Sequence, residues 1–269
     1  MNLSFKIMSN FQLFDFLPLW IIFFCLIGFI LLSTWIGVVF VRSRKESRKK
    51  STEFGHLNSV VGAILGLVSL ILAFTFNITL ARFDARKDYL LQEVNAIGTT
   101  WLRAGFISEP RSSEVKDLLL EYVRLRVEAG KQTEKILEVI PQSNKIETKI
   151  WFHVNELSKN EPRNDIFNAL FIEAVNEMFD DQTKRTTAAL SYRIPTFIWI
   201  SFFFLIGISM FGVGCIFGKK KQINWHIILV LALALGIVIV TIIDLDSTSG
   251  LVHINDAPMF DLYQGMLNE

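Results

Sequence analysis

Two short charged sequences stand at the ends of apolar runs, where charge is costly enough to need a purpose. Arg82-Phe83-Asp84-Ala85-Arg86 places Arg82 and Arg86 one helical turn apart, with Asp84 on a different face. Cations so placed can draw in anions, contact lipid headgroups or form salt bridges between subunits. Asp244-Leu245-Asp246 closes another apolar run, where carboxylates meet the negative end of a helix dipole. Pairing of Asp244 or Asp246 with Arg82 or Arg86 is the expected compensation, and a cation site is the rival reading. A third constellation precedes Arg82. Asn58, Gly62, Gly66, Ser69, Ala73 and Asn77 recur at spacings of four and three, which keeps them on one helical face.

Gly62-x-x-x-Gly66 is a spacing that lets membrane helices approach closely, so packing alone explains the two glycines. Asn58, Ser69 and Asn77 add polar groups that packing does not require. In membrane helices such groups face a cavity or the interior of a bundle. The six residues are therefore candidates to line a pore. Phe74 and Phe76, near the end of the same run, are candidates for a constriction that closes by dewetting, with packing against neighbouring helices as the other reading.

Catalytic and metal signals are missing. His56, His153, His226 and His253 are isolated from other ligand types at metal-binding spacing. There is no Gly-x-Ser-x-Gly elbow, no phosphate-cradling glycine loop and no dinucleotide fingerprint. Asn77-Ile78-Thr79 matches a glycosylation sequon but lies at a membrane boundary, where we read it as coincidental. The sequence thus calls for no enzyme, no cofactor, no metal and no nucleic acid. Cys25 and Cys215 both fall inside apolar runs, where they serve as small apolar residues rather than a disulfide.

The elements that carry these residues follow from hydropathy. With 51% hydrophobic residues and 20% charged ones, the chain is divided between lipid and water. Four apolar runs are long enough to cross a hydrocarbon core: Leu17 to Val41, Val60 to Leu80, Phe197 to Phe217 and Ile227 to Ile243. The first is too long for a signal peptide and is followed by the basic stretch from Arg42 to Lys50, so it reads as a retained membrane helix. That basic stretch and Lys219, Lys220 and Lys221 predict that loops 42–56 and 218–224 are cytoplasmic, the first also able to meet anionic lipid headgroups. Residues after Ile243 carry Asp244, Asp246, Asp256, Asp261 and Glu269 but no Lys or Arg, so both termini and the segment from Arg82 to Arg193 fall on the outer side.

That segment reads as a helical bundle. Phe83, Leu90, Val94, Ile97 and Trp101 recur at seven, four, three and four, so the second membrane helix continues into it without a break, from 57 to 106. After a turn at Glu109-Pro110-Arg111-Ser112, Val115, Leu118, Leu119, Tyr122 and Val123 mark a helix expected to end near Ile140-Pro141. Ser143 is placed to cap a short helix through Ile146, Ile150, Val154 and Leu157. Asn160 to Asp165 reads as a turn, and Ile166, Phe167, Leu170, Phe171, Ala174, Val175, Met178 and Phe179 form a stripe expected to be bundle core. The expected fold is an all-α membrane protein with two transmembrane helix pairs, 17–80 and 195–244, flanking an extramembrane helical bundle, 82–193, and an acidic tail, 245–269.

Several of these stretches carry a family resemblance. His56-Leu57-Asn58, Arg82 to Arg86, Glu93-Val94-Asn95-Ala96-Ile97-Gly98-Thr99, Tyr122-Val123-Arg124-Leu125-Arg126, and Asp244-Leu245-Asp246 followed by Ser249-Gly250-Leu251 resemble a group of bacterial membrane proteins with a bestrophin-like domain. The resemblance covers nearly the whole chain after residue 15. It implies a homo-oligomer, a pentamer in true bestrophins, located in the inner membrane, with a long second helix lining an anion pore. True bestrophins hold their helical region in the cytoplasm, whereas the charge distribution here predicts the outer side. No acidic cluster resembles the calcium clasp of the animal channels, so calcium gating is not implied. The sequence reading is thus a channel in contact with membrane lipid and ions, the alternative being a membrane-anchored sensor or scaffold whose bundle binds a ligand or partner protein.

Overall fold

The computed structural model describes residues 17–43, 52–131, 136–160, 166–220, 222–247 and 250–269. Among them there are eight helices and no strand: α1 (Leu19–Ser43), α2 (Thr52–Ala104), α3 (Arg111–Lys131), α4 (Ile136–Asn160), α5 (Ile166–Leu190), α6 (Thr196–Gly218), α7 (Trp225–Asp246) and α8 (Ala257–Leu267). Arg44 to Lys50, Lys221, Ser249 and most of the turn expected at 160–165 lie outside the described residues. Helices α1, α2, α6 and α7 are each long and apolar enough to cross a membrane. As expected, α2 does not end where its apolar stretch ends; it runs on as one helix of 53 residues.

The chain divides into two compact units, 17–81 with 193–252 and 82–192 with 253–269, so α2 contributes to both. In the first unit, α1 packs on α6 and α7. Ile22, Leu26 and Ile30 of α1, Val61, Val68 and Leu72 of α2, Phe202, Ile206 and Met210 of α6, and Ile228, Ala232 and Ile239 of α7 share its core. The α1–α6 contact is the closest. A Cβ on Gly37 would strike the carbonyl of Phe211, one on Gly214 the carbonyl of Thr34, and one on Gly218 the backbone of Val38 at 3.0 Å. Small residues at these positions bring two backbones together, the contact that favours helix association where lipid removes any hydrophobic drive. Thr34, Thr75, Thr79 and Ser209 return their hydroxyl protons to carbonyls four residues earlier, so none is left unsatisfied in an apolar setting.

The second unit is a helical bundle built from the rest of α2 with α3, α4, α5 and α8. Leu90, Ile97 and Trp101 of α2, Val115, Leu119 and Val123 of α3, Ile146, Ile150, Val154 and Leu157 of α4, and Phe171, Val175 and Met178 of α5 are all buried in one core. These are the positions at which the apolar periodicity predicts burial. Two expectations fail. Pro141 does not separate two helices: α3 ends at Lys131, and α4 passes through Pro141 and Ser143 without a break. Pro141 costs one backbone hydrogen bond near the start of α4, while Val139, Ile140 and Ile146 on either side of it are buried and hold the helix together. Ile166 and Phe167, expected in the core, are exposed, because the buried face of α5 begins at Asn168 and runs on through Phe171.

The acidic tail also contains structure that its charge concealed. Residues 257–267 form α8, whose Met259 and Met266 are buried in the bundle core. Trp101 Nε1 donates to Glu269 Oε2 at 2.6 Å, which ties α2 to the residue two positions past α8.

Overpacking should expose the importance of the α1–α6 contact. Gly214→Leu forces a side chain into the backbone of α1 and is expected to destabilise the protein by about 1–3 kcal/mol or more. Gly62→Ala, which meets nothing within 4 Å, should leave the fold of the protomer unchanged. Thermal unfolding in detergent compares them, and equal melting temperatures would contradict the packing described.

Candidate functional site

The polar stripe of α2 lies to one side of the face that packs. Val61, Val68, Leu72, Thr75 and Thr79 are buried, whereas Asn58, Gly62, Gly66, Ser69, Ala73 and Asn77 are all exposed in the protomer. Among the described residues, nothing outside α2's own backbone lies within 4 Å of a Cβ placed on Gly62 or Gly66. The small residues of α2 therefore serve no close packing within the protomer, the role that Gly37, Gly214 and Gly218 perform on α1 and α6. The Ser69 hydroxyl donates to the carbonyl of Leu65 at 3.0 Å and can still accept one more bond. Phe74 and Phe76 are both exposed, but helix geometry separates them. At about 100° per residue, Phe76 falls on the face of Asn58 and Ser69, and Phe74 about 160° away from Asn58.

The carboxylates that end α7 have partners within their own unit. The carboxylate of Asp244 accepts from the backbone N–H groups of Leu251 and Val252, the latter at 3.1 Å. Gly250 is required there, since a Cβ would collide with the Asp244 side chain. Asp246 is buried and accepts from Arg193 Nε at 3.1 Å and from the backbone N–H of Ile194 at 3.2 Å. A guanidinium and three N–H groups thus offset carboxylates at the negative end of the α7 dipole. Arg193, which no local pattern singled out, is what the sequence reading lacked. In the bundle unit, exposed Asp84 pairs with Lys87 at 2.8 Å, while Arg86 is buried with its guanidinium 5.7 Å from the ring centre of Phe83.

Sequence reasoning missed a buried network of charges in the bundle unit. Glu93 of α2 is completely buried in the bundle. Its Oε1 accepts from Arg126 Nη2 at 2.6 Å, Arg126 Nε at 2.8 Å and Tyr122 OH at 3.0 Å; its Oε2 accepts from Arg185 Nη1 at 2.6 Å. Arg185 Nη2 reaches Asp256 Oδ1 at 3.0 Å, which extends the network to the segment before α8. Burial pushes the Glu93 carboxyl up, but the charges and hydrogen bonds of Arg126 and Arg185 outweigh it and hold the group below its ordinary value. Burial, with the charges of Glu93 and Glu147, pushes the Tyr122 phenol well up, so it stays a neutral donor. For Asp256, burial and the charge of Glu93 outweigh the opposing charge of Arg185, and its carboxyl is raised. The available signal was the position of Glu93, three residues after Leu90 and four before Ile97 on the buried side of a helix. A charge in a core position implies a partner. Among the described residues no three His, Cys, Asp or Glu side chains converge to hold a metal ion.

Four apolar crossing helices, the second running on into a separate helical bundle, define an all-α integral membrane protein. The chain belongs to the bestrophin-like family: the model of the bestrophin-like domain matches residues 25–259. Its fold is similar to a crystal structure of a bacterial bestrophin homologue from Klebsiella pneumoniae, with a TM-score of 0.61 at 12% identity over 90% of this chain and 97% of that one. A point variant of that homologue gives a TM-score of 0.61 at 11% identity, covering 90% and 98%. A crystal structure described as a membrane protein variant gives 0.62 at 11% identity, covering 90% and 97%. No curated protein matches the sequence.

The Glu93 network yields two expectations. Glu93→Gln leaves two arginines facing a neutral amide and should cost about 3–5 kcal/mol of bundle stability in denaturant unfolding, because it breaks a buried pair on one side only. Because the Glu93 carboxyl is depressed in the folded protein, its contribution is present above the ordinary value of 4.5 and is lost as pH falls below it. The acid limb of a stability profile should therefore flatten in the variant, and an unchanged limb would contradict the assignment.

Proposed function

We propose that the protein is an oligomeric ion channel of the inner membrane whose α2 helices surround the pore. The observation that carries this reading is the exposed stripe of α2. Asn58 and Asn77 present amides, and Gly62 and Gly66 present bare backbone, on a face that the protomer leaves uncovered. Facing lipid, an amide without partners is costly. Facing an aqueous axis, or the same stripe of a neighbouring subunit beside water, it is satisfied. A single protomer with four crossings cannot enclose a wide pore, so the reading requires several copies. Phe76, on the same face as Asn58 and Ser69, is the better candidate for a hydrophobic constriction, and Phe74 the weaker one. Membership of the family and the likeness in fold support the channel class, and the partly exposed Arg82 at the end of the apolar stretch favours anions as the conducted species. The basic loops support a topology with the bundle outside.

A second reading keeps one observation in its favour. Leu102, Phe106, Phe152, Ile166 and Phe167 are large, apolar and exposed on the bundle unit, with the rings of Phe106 and Phe167 in edge contact at 5.6 Å. A sensor or scaffold would use such a surface to hold a partner.

Flux from liposomes containing the purified protein separates the two. Conduction should exceed that of protein-free vesicles, fall severalfold on Asn58→Leu or Asn77→Leu, and rise on Phe76→Ala while Phe74→Ala changes little. No flux under any ionic gradient would reject the channel and leave the scaffold.

A further inference from the structure

Glu147 and Ser143 stand one turn apart on α4, and the Glu93 network does not account for them. Ser143 is completely buried, and neither its Oγ nor the buried Oε1 of Glu147 has a hydrogen-bond partner among the described residues. Residues four apart share a helical face, so the two groups point into the same part of the bundle interior. Glu93 of α2 and Tyr122 and Arg126 of α3 interact with Glu147, and through Glu93 and Arg126 it is connected to Arg185 of α5 and to Asp256 and His253 in the segment leading into α8. Along the same α3–α4 contact, Glu114 pairs with His153 at 3.5 Å.

The charges in this interior do not balance. Three carboxyls, Glu93, Glu147 and Asp256, face two guanidiniums, Arg126 and Arg185. The hydrogen bonds of those guanidiniums run to Glu93 and Asp256, so Glu147 is the carboxyl left without one. Glu147 is half-buried, with its Oε1 enclosed and without a hydrogen bond, and an enclosed carboxylate oxygen of that kind disfavours the charged form, a cost that binding a proton removes.

We propose that Glu147 is a proton-binding site in the bundle, holding a proton taken from solvent as a neutral carboxylic acid, with the Ser143 hydroxyl beside it as the polar group that the acid faces. Taking up the proton changes the formal charge of the five-member cluster from −1 to zero and leaves Arg126 wholly to Glu93. Losing it sets a second carboxylate against Glu93 in competition for the same guanidinium. Burial raises the Glu147 carboxyl, the charge of Glu93 adds to that, and the charge of Arg126 opposes it without cancelling it. A carboxyl raised in the folded state stabilises the fold below its ordinary value of 4.5 and loses that contribution as pH rises through the folded value, the opposite of Glu93. The inference concerns the bundle alone and does not depend on conduction.

The test is an infrared titration of the full-length protein in nanodiscs, with isotope in the glutamate side-chain carboxyls so that Asp256 does not contribute. The proposal expects one protonated-glutamate band to persist above the ordinary value of 4.5, at a pH where the exposed glutamates have ionised. The band should vanish in Glu147→Gln and survive in the exposed-site control Glu121→Gln. It is overturned if every glutamate ionises at or below the ordinary value, or if the band survives Glu147→Gln. Should that variant not fold, Glu147→Asp must remove the labelled-glutamate band, and its survival there overturns the proposal equally.

Discussion

A helical bundle that buries a carboxylate must bring cations to it or come apart, and Glu93 imposes that condition on this protein. Its two oxygens accept four hydrogen bonds from Arg126, Tyr122 and Arg185. The donors come from α3 and α5, so α2 can dock in the bundle only when both helices are in register with it. Arg185 passes the requirement on to Asp256, and through it to the segment that places α8. Such a network adds little net stability over a well-packed apolar core, since desolvation consumes most of the attraction. Its consequence is geometric: removing one member strands the others, so the arrangement has one well-satisfied form. Gly130 fits the same logic, for a side chain there would meet the carboxylate of Asp256.

Small residues do two different jobs in the membrane unit, and only the structure tells them apart. On α1 and α6, Gly37, Gly214 and Gly218 vanish into a backbone contact so close that a methyl group would be obstructed. On α2, Gly62 and Gly66 have the spacing associated with such contacts yet meet nothing among the described residues of the protomer. The threonines show the same contrast, for Thr75 and Thr79 lie on the packed face of α2 with their hydroxyls bonded along the helix, while Asn58 and Asn77 lie on the open face. The packed face of α2 carries Val61, Val68, Leu72 and the two threonines, while its exposed surface sets the amides and glycines of the stripe beside Leu67, Leu70 and Phe74.

Much of the architecture was legible in the sequence because lipid and helix periodicity leave strong marks. The four crossings, the unbroken α2, and the buried positions from Leu90 to Trp101 and from Ile146 to Leu157 follow from run length and spacing alone. The missed features are those in which distant parts of the chain cooperate. Pro141 reads as a stop, but the burial of Val139 and Ile140 before it and Ile146 after it keeps α4 intact. The acidic residues of the tail conceal α8, whose two buried methionines hold it in the bundle. Asp244 and Asp246 advertise a need for compensation, yet Arg193 and the backbone after Gly250 reveal themselves only once the chain has folded back. Glu93, Arg126 and Arg185 are scattered over three helices, and no local pattern joins them.

The central claim is that the open face of α2 meets water, and cysteine accessibility measures it directly. In a chain with Cys25 and Cys215 replaced, single cysteines would be placed along α2 and treated with a membrane-impermeant thiol reagent in reconstituted vesicles. The account predicts reaction at positions 58, 62, 66, 69, 73 and 77, with protection at 61, 68 and 72, a helical pattern confined to one face. Uniform protection through the apolar stretch, or reaction that follows the packed face, would contradict it.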